Sequence, residues 1–134
     1  MKYLPDTNVC VFVIRQKPQL VVERFRQQRP DDLAISTVTL AELRYGADKS
    51  SNAKKNHAAW DLFLEPLEIE SFDADAAECY GQLRTGLERR GLSIGPLDTM
   101  IAAHALSLKL PLITNNTREF SRVHGLIIQD WTIS

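Results

Sequence analysis

The sequence predicts an α/β fold: a central, mostly parallel sheet of four to five strands with helices on both faces. Two observations predict it. Strand-like and helix-like segments alternate along the chain, and the strand-like segments are continuous apolar runs, as expected of strands covered on both faces. At 134 residues, 44% hydrophobic and 25% charged, residues 1–134 make one ordinary domain with a proper core.

The first element is the short apolar segment Lys2-Tyr3-Leu4-Pro5, which ends in Asp6-Thr7-Asn8 and is followed at once by Val9 to Ile14. This reads as a strand, a polar turn that caps a helix, and that helix, buried on several sides because it is mostly Val, Ile and Phe. A second helix, Gln19 to Gln28, turns Leu20, Val21 and Phe25 inward, and Pro30 ends it. Leu33-Ala34-Ile35 is a buried strand. Ser36 and Thr37 offer hydroxyl caps for a helix through Leu40, Leu43 and Ala47, with Glu42 in its first turns and a break from Gly46 to Asn52. Ala53 to Leu64 is a surface helix stopped by Pro66, and Leu67-Glu68-Ile69 is a third strand.

Asp73 or Asp75 starts the longest helix, whose stripe of Ala76, Cys79, Tyr80, Leu83 and Leu87 keeps helical spacing to Arg90 and ends at Gly91. Gly95-Pro96 opens the next helix, which is Met, Ile, Ala and Leu almost throughout to Lys109. Such a helix is buried, so Asp98 on its first turn is an anomaly that needs a reason. Leu110 to Thr114 is a fourth strand, Asn115 to Glu119 a turn at its end, and Leu126-Ile127-Ile128 a fifth strand.

No apolar run approaches the roughly 20 residues that span a bilayer, and the start of the chain lacks the order of a signal peptide, so a cytoplasmic protein without membrane contact is expected. Cys10 and Cys79 sit in apolar helical patterns and read as reduced core residues. A net charge of −1 and a pI near 6.3 argue against a nucleic-acid partner. Between Arg15 and Arg29, however, Lys17, Arg24 and Arg26 face only Glu23, which leaves room for a local basic face. His57, His104 and His124 form no pair at metal spacing and read as core or surface residues.

Four carboxylates occupy equivalent places: Asp6 after the first strand, Glu42 in the helix after the second, Asp98 at the start of the buried helix and Glu119 after the fourth strand. All can face one end of the sheet, where open α/β sheets bind ligands. Taken singly, each has a plainer role: Asp6 a helix cap, Glu42 and Glu119 solvated charges, Asp98 an acid favoured by a helix start. Taken together, like charges about 4 Å apart repel by about 4 kcal/mol at an effective dielectric near 20, so such a cluster opposes folding unless it takes up protons or a cation. Oxygen donors without Cys or His favour Mg²⁺ or Mn²⁺ over zinc, and such a site suits phosphodiester hydrolysis.

These residues also carry a resemblance. Tyr3 to Cys10, Ile35 to Ala47, Ile94 to Ala105 and Ile113 to Phe120, in that order and followed by Asp130-Trp131, resemble the PIN-domain ribonucleases and, within them, the VapC toxins of type II toxin–antitoxin systems. The resemblance covers nearly the whole chain. It implies a compact α/β/α PIN-like domain and an endoribonuclease dependent on Mg²⁺ or Mn²⁺. Asp6, Glu42 and Asp98 would be metal ligands, Glu119 the fourth catalytic acid, and Thr7, Asn8, Thr114 and Asn116 the groups that orient them.

It further implies a homodimer held inactive by a VapB-type antitoxin, a higher-order complex of the two on operator DNA, and an RNA substrate, tRNA and the anticodon region of initiator tRNA in particular, whose cleavage stops translation. Asn116 stands where many relatives have Asp or Asn, and Asn in place of Asp lowers the negative charge. Pro5 stands where relatives have an ordinary apolar residue, and a missing N–H there would weaken pairing if the strand is central. Two other functions stay open on the residues alone. Asp6 could accept phosphate covalently, although aspartyl-phosphatases place a second Asp where this chain has Asn8. The acidic pocket could also serve only to dock a basic partner segment.

Overall fold

A computed structural model describes residues 1–133. Its elements are β1 (Leu4–Pro5), α1 (Thr7–Arg15), α2 (Gln19–Arg26), β2 (Ala34–Ser36), α3 (Thr37–Lys49), α4 (Ala53–Leu64), β3 (Glu68–Glu70), α5 (Ala74–Arg89), α6 (Pro96–Leu108), β4 (Leu112–Ile113), α7 (Thr117–Phe120) and β5 (Ile128–Gln129), with a 3₁₀ turn at Pro30–Asp32. Every strand pairing is parallel. β1, β4 and β5 form one ladder and β2 and β3 another, and the single bridge Tyr3–Leu33 joins them into the order β3-β2-β1-β4-β5.

That seam is thin for a reason written in the sequence. Tyr3 donates to the Asp32 carbonyl at 3.0 Å and accepts from the Ala34 amide at 3.0 Å. The next donor toward β2 would be residue 5, and Pro5 has no N–H. On its other side β1 is complete: Leu4 and Asp6 donate to Pro111 and Ile113, each at 2.9 Å. Pro5 thus sits in a central strand and weakens its pairing, as expected.

Successive strand residues enter opposite cores, so both faces are apolar. Leu4, Ala34 and Leu112 pack with Ile101, Ala102 and Ala105 of α6. Leu33 and Ile113 pack on the other face with Val9, Val21 and Phe25, and Ile35 packs with Cys10, Leu43 and Trp60. Asp6, Ser36 and Asp73 cap α1, α3 and α5 through their side chains. Both cysteines are free thiols; Cys10 lies in the core as expected, whereas Cys79 is only half-buried and belongs to no core cluster, so that part of the expectation fails.

Two expectations need correction. Gly46 does not break its helix, because α3 runs on to Lys49 with Leu43 and Ala47 buried against Trp60 and Leu64 of α4. Tertiary packing there outweighs the roughly 1 kcal/mol intrinsic penalty of glycine. The polar stretch after β4 is not all turn: Asn116 stands at the N-cap position of the short α7 without capping it through its side chain, and Phe120 within it is buried in the core. Among the described residues no helix is long and apolar enough to cross a membrane.

Candidate functional site

The strand order creates a switch point. From β1 the chain steps outward through β2 to β3, then returns to place β4 and β5 on the other side of β1. The crevice between β1 and β4, at their carboxyl ends, is where open parallel sheets take ligands. Asp6 leaves β1 into it and Thr114 leaves β4.

Asp6 is held firmly. It caps α1, its Oδ1 accepting the Val9 amide at 2.9 Å, and it is only 4% exposed. Burial pushes its pKa from 3.8 up to about 6; hydrogen bonds from the Thr114 side chain and the Val9 amide pull it down, and the charges of Asp98 and Glu42 add to the rise.

Glu42, half-buried on α3, accepts a 2.7 Å hydrogen bond from the Thr7 hydroxyl at the start of α1. A hydroxyl has one proton, so Thr7, having given its own to Glu42, accepts from the buried Thr39 at 3.2 Å. Thr39 is a site residue the sequence reading missed; its only signal is a hydroxyl on the buried face of α3.

Asp98 is the third residue of α6, half-buried, and its pKa is raised by burial first, then by Glu42 and Glu119. Glu119 accepts from the Asn116 side-chain amide at 3.3 Å, and the Asn116 backbone amide donates to the Thr114 hydroxyl at 2.9 Å. Asp6, Glu42, Asp98 and Glu119 therefore share one electrostatic field at one rim of the sheet. Asn8, by contrast, is exposed on α1. His57 bonds to Asp48 and Arg44 and ties α3 to α4, and His124 is exposed.

Among the described residues no three His, Cys, Asp or Glu side chains come close enough to cage a metal ion by themselves. Mg²⁺ is ordinarily held by one or two carboxylates and several waters. An open, all-oxygen set in which burial and repulsion already raise two of the acids fits such a cation, whose charge would offset both effects. Beside Glu42 and Thr7 lies a cleft of about 490 Å³ between α1, α3 and α4, with Val11, Ile14 and Trp60 in its walls and Arg15 and Lys49 at its border.

Comparison with known proteins places these observations. The PIN domain family model matches residues 3–126. The tRNA(fMet)-specific endonuclease VapC of Shigella flexneri is 46% identical over 132 residues, covering 98% of this chain and 99% of its own. Among solved structures, the DNA-bound VapBC of Salmonella typhimurium superposes with a TM-score of 0.92 at 44% identity, covering 98% of each chain. VapBC2 of Rickettsia felis, bound to a promoter DNA fragment, gives 0.91 at 41% identity, covering 98% of this chain and 99% of that one.

Proposed function

The chain belongs to the PIN-domain family, with VapC ribonucleases as its relatives, and on that premise we propose that it is a divalent-metal-dependent endoribonuclease, the toxin of a type II toxin–antitoxin pair. The observation that carries the reading is Asp6: a carboxylate, nearly inaccessible, fixed at the switch point in the field of Glu42 and Asp98.

Asp6, Glu42 and Asp98 would hold Mg²⁺ or Mn²⁺, with Glu119 as the fourth acid. When bound, such an ion supplies positive charge for the scissile phosphate and makes hydroxide accessible near neutral pH. The chain's own residues do the positioning. The Val9 amide fixes one oxygen of Asp6, the Thr7 hydroxyl one oxygen of Glu42, and the Asn116 side chain one oxygen of Glu119. Each bond leaves other lone pairs free for ligation and restricts carboxylate rotation. Water attacks phosphorus in line, leaving a 5′-phosphate and a 3′-hydroxyl.

The substrate is tRNA, initiator tRNA first, on the strength of the Shigella relative's specificity, and its loss stops translation in the cytoplasm. The partner is a VapB-type antitoxin, as in the DNA-bound VapBC complexes that this chain superposes on; on the family resemblance the toxin is a homodimer and the assembly binds operator DNA. The apolar cleft bordering Glu42 suits an antitoxin segment that reaches the acids with a basic side chain.

Antitoxin-free protein incubated with tRNA and Mg²⁺ or Mn²⁺ should make one principal cut in the initiator tRNA anticodon region, read by end-mapping. Asp6→Ala and excess EDTA should each abolish it. Undiminished cleavage under either condition refutes the reading.

A further inference from the structure

Beyond the carboxylates and the hydroxyls that touch them, we propose that His104 is a positioning residue, which through Ser36 sets the start of α3 against α6 and so fixes Glu42 relative to Asp98. The inference rests on the reading given above and extends it to two residues that touch none of the four acids.

His104 lies on α6, six residues beyond Asp98, and is 1% exposed. Its Nδ1 is 2.8 Å from the Ser36 hydroxyl oxygen, which is wholly buried. That same oxygen accepts the Val38 amide at 3.0 Å and thereby caps α3, the helix that carries Glu42 and Thr39. Both acid-bearing helices thus meet at one buried hydroxyl.

The proton count selects one arrangement. The Ser36 oxygen already accepts from Val38, so its own proton needs an acceptor, and a neutral imidazole supplies one at Nδ1 when Nε2 carries the hydrogen. In the other tautomer Nδ1–H would donate to Ser36, and the serine proton would have nowhere to go. Burial lowers the His104 pKa and favours the neutral ring, although Asp73, Glu70 and the Ser71 backbone pull the other way. Nε2 is buried and makes no well-formed hydrogen bond among the described residues, although the Ser71 backbone is near enough to favour a hydrogen on it. A side chain chosen only to fill this core would be apolar; a buried imidazole whose one well-formed hydrogen bond goes to Ser36 is kept at a cost.

The position has leverage. At the β1–β2 seam, where Pro5 removes a ladder bond, Tyr3–Leu33 is the sole bridge among the described residues, so the sheet alone holds β2 and the start of α3 loosely. The His104–Ser36 bond ties the same point to α6 from the opposite side.

The test combines variants with a measurement on the native protein. His104→Leu keeps bulk and removes the acceptor; His104→Asn returns an acceptor oxygen near the place of Nδ1. The Leu variant should show kcat lowered by about tenfold or more with KM unchanged, and Mn²⁺ affinity, read by electron paramagnetic resonance, weakened by about tenfold. The Asn variant should recover most of both, and Ser36→Ala added to His104→Leu should cost little more. ¹⁵N NMR of the native imidazole should show the hydrogen on Nε2.

A proton on Nδ1 overturns the proposal, even if the Leu variant fails to fold. So does a Leu variant within twofold of the native protein, or an Asn variant impaired as badly as Leu, which would mark simple loss of packing. Should the native protein cut no RNA, the functional reading fails, while the tautomer and Mn²⁺ affinities still judge His104 and Ser36.

Discussion

Replacing Asp6 by Asn should abolish cleavage and at the same time stabilise the metal-free protein. The folded-state pKa of Asp6, about 6, lies about 2 units above its ordinary 3.8. At about 1.4 kcal/mol per unit, ionised Asp6 costs the metal-free fold about 3 kcal/mol at pH 7.5. The sign follows from the raised value: below about pH 4 the residue is protonated folded or unfolded and costs nothing; the cost grows between about pH 4 and 6, where only the unfolded chain is ionised, and is constant above. Asn keeps the oxygen that accepts the Val9 amide at 2.9 Å and is as good a helix cap as Asp. It loses about 1 kcal/mol to a buried amide without a full set of partners, leaving a gain of about 2 kcal/mol.

In a domain of this length that gain raises Tm by roughly 6–10 °C. The assay is thermal unfolding in EDTA from pH 4 to 8, native against Asp6→Asn, with tRNA cleavage measured in parallel. The stability gap should open between pH 4 and 6 and hold above. A variant no more stable than the native chain at pH 7.5, or a gap independent of pH, would refute the claim that Asp6 is held at an electrostatic cost that a cation relieves.

Two further outcomes check separate parts of the structure. Thr7→Val removes the 2.7 Å bond to Glu42 and strands the Thr39 proton, so steady-state cleavage should fall about tenfold or more while far-UV circular dichroism stays native; unchanged kcat and Mn²⁺ affinity would show that Glu42 needs no tether. Phe120→Ala empties a site 1% exposed in the core beneath Glu119 and should cost about 3–5 kcal/mol in urea unfolding, a loss under 1 kcal/mol meaning that α7 is not anchored by it.

Helices were legible where local chemistry announces them. Asp6, Ser36 and Asp73 are side-chain caps in the structure, and Pro96 stands in the first turn of α6, so four helix starts followed from residue type. Gly46 misled because its propensity is local while the burial of Leu43 and Ala47 is not. α7 escaped because a four-residue helix has no periodicity to detect; its cause, the burial of Phe120, is tertiary. Asp6 and Glu119 could be placed after strands, and Glu42 and Asp98 in helix turns, from pattern alone, yet their convergence depends on the chain reversing its direction across the sheet between β3 and β4. No spacing records that. The hydroxyl and imidazole links from Thr39 to Thr7 and from His104 to Ser36 join residues 32 and 68 positions apart and were invisible for the same reason.

Those links explain how a sheet broken at its middle can carry a site that needs fixed geometry. Pro5 removes the backbone bond that would lock β1 to β2 one residue before Asp6, and the carboxylates at the rim repel one another. A longer ladder would have set α3 through main-chain bonds. Here side chains do that work, with Thr7 of α1 holding Glu42 and His104 of α6 holding the α3 cap. Hydrogen exchange offers a direct reading: the Ala34 amide at the thin seam should exchange faster than the Leu4 and Asp6 amides bonded to β4, and His104→Leu should accelerate Ala34 and Val38 while leaving Leu4 unchanged. Equal protection across both sides of β1 would mean that the seam is as strong as the ladder, and that the side-chain links are redundant.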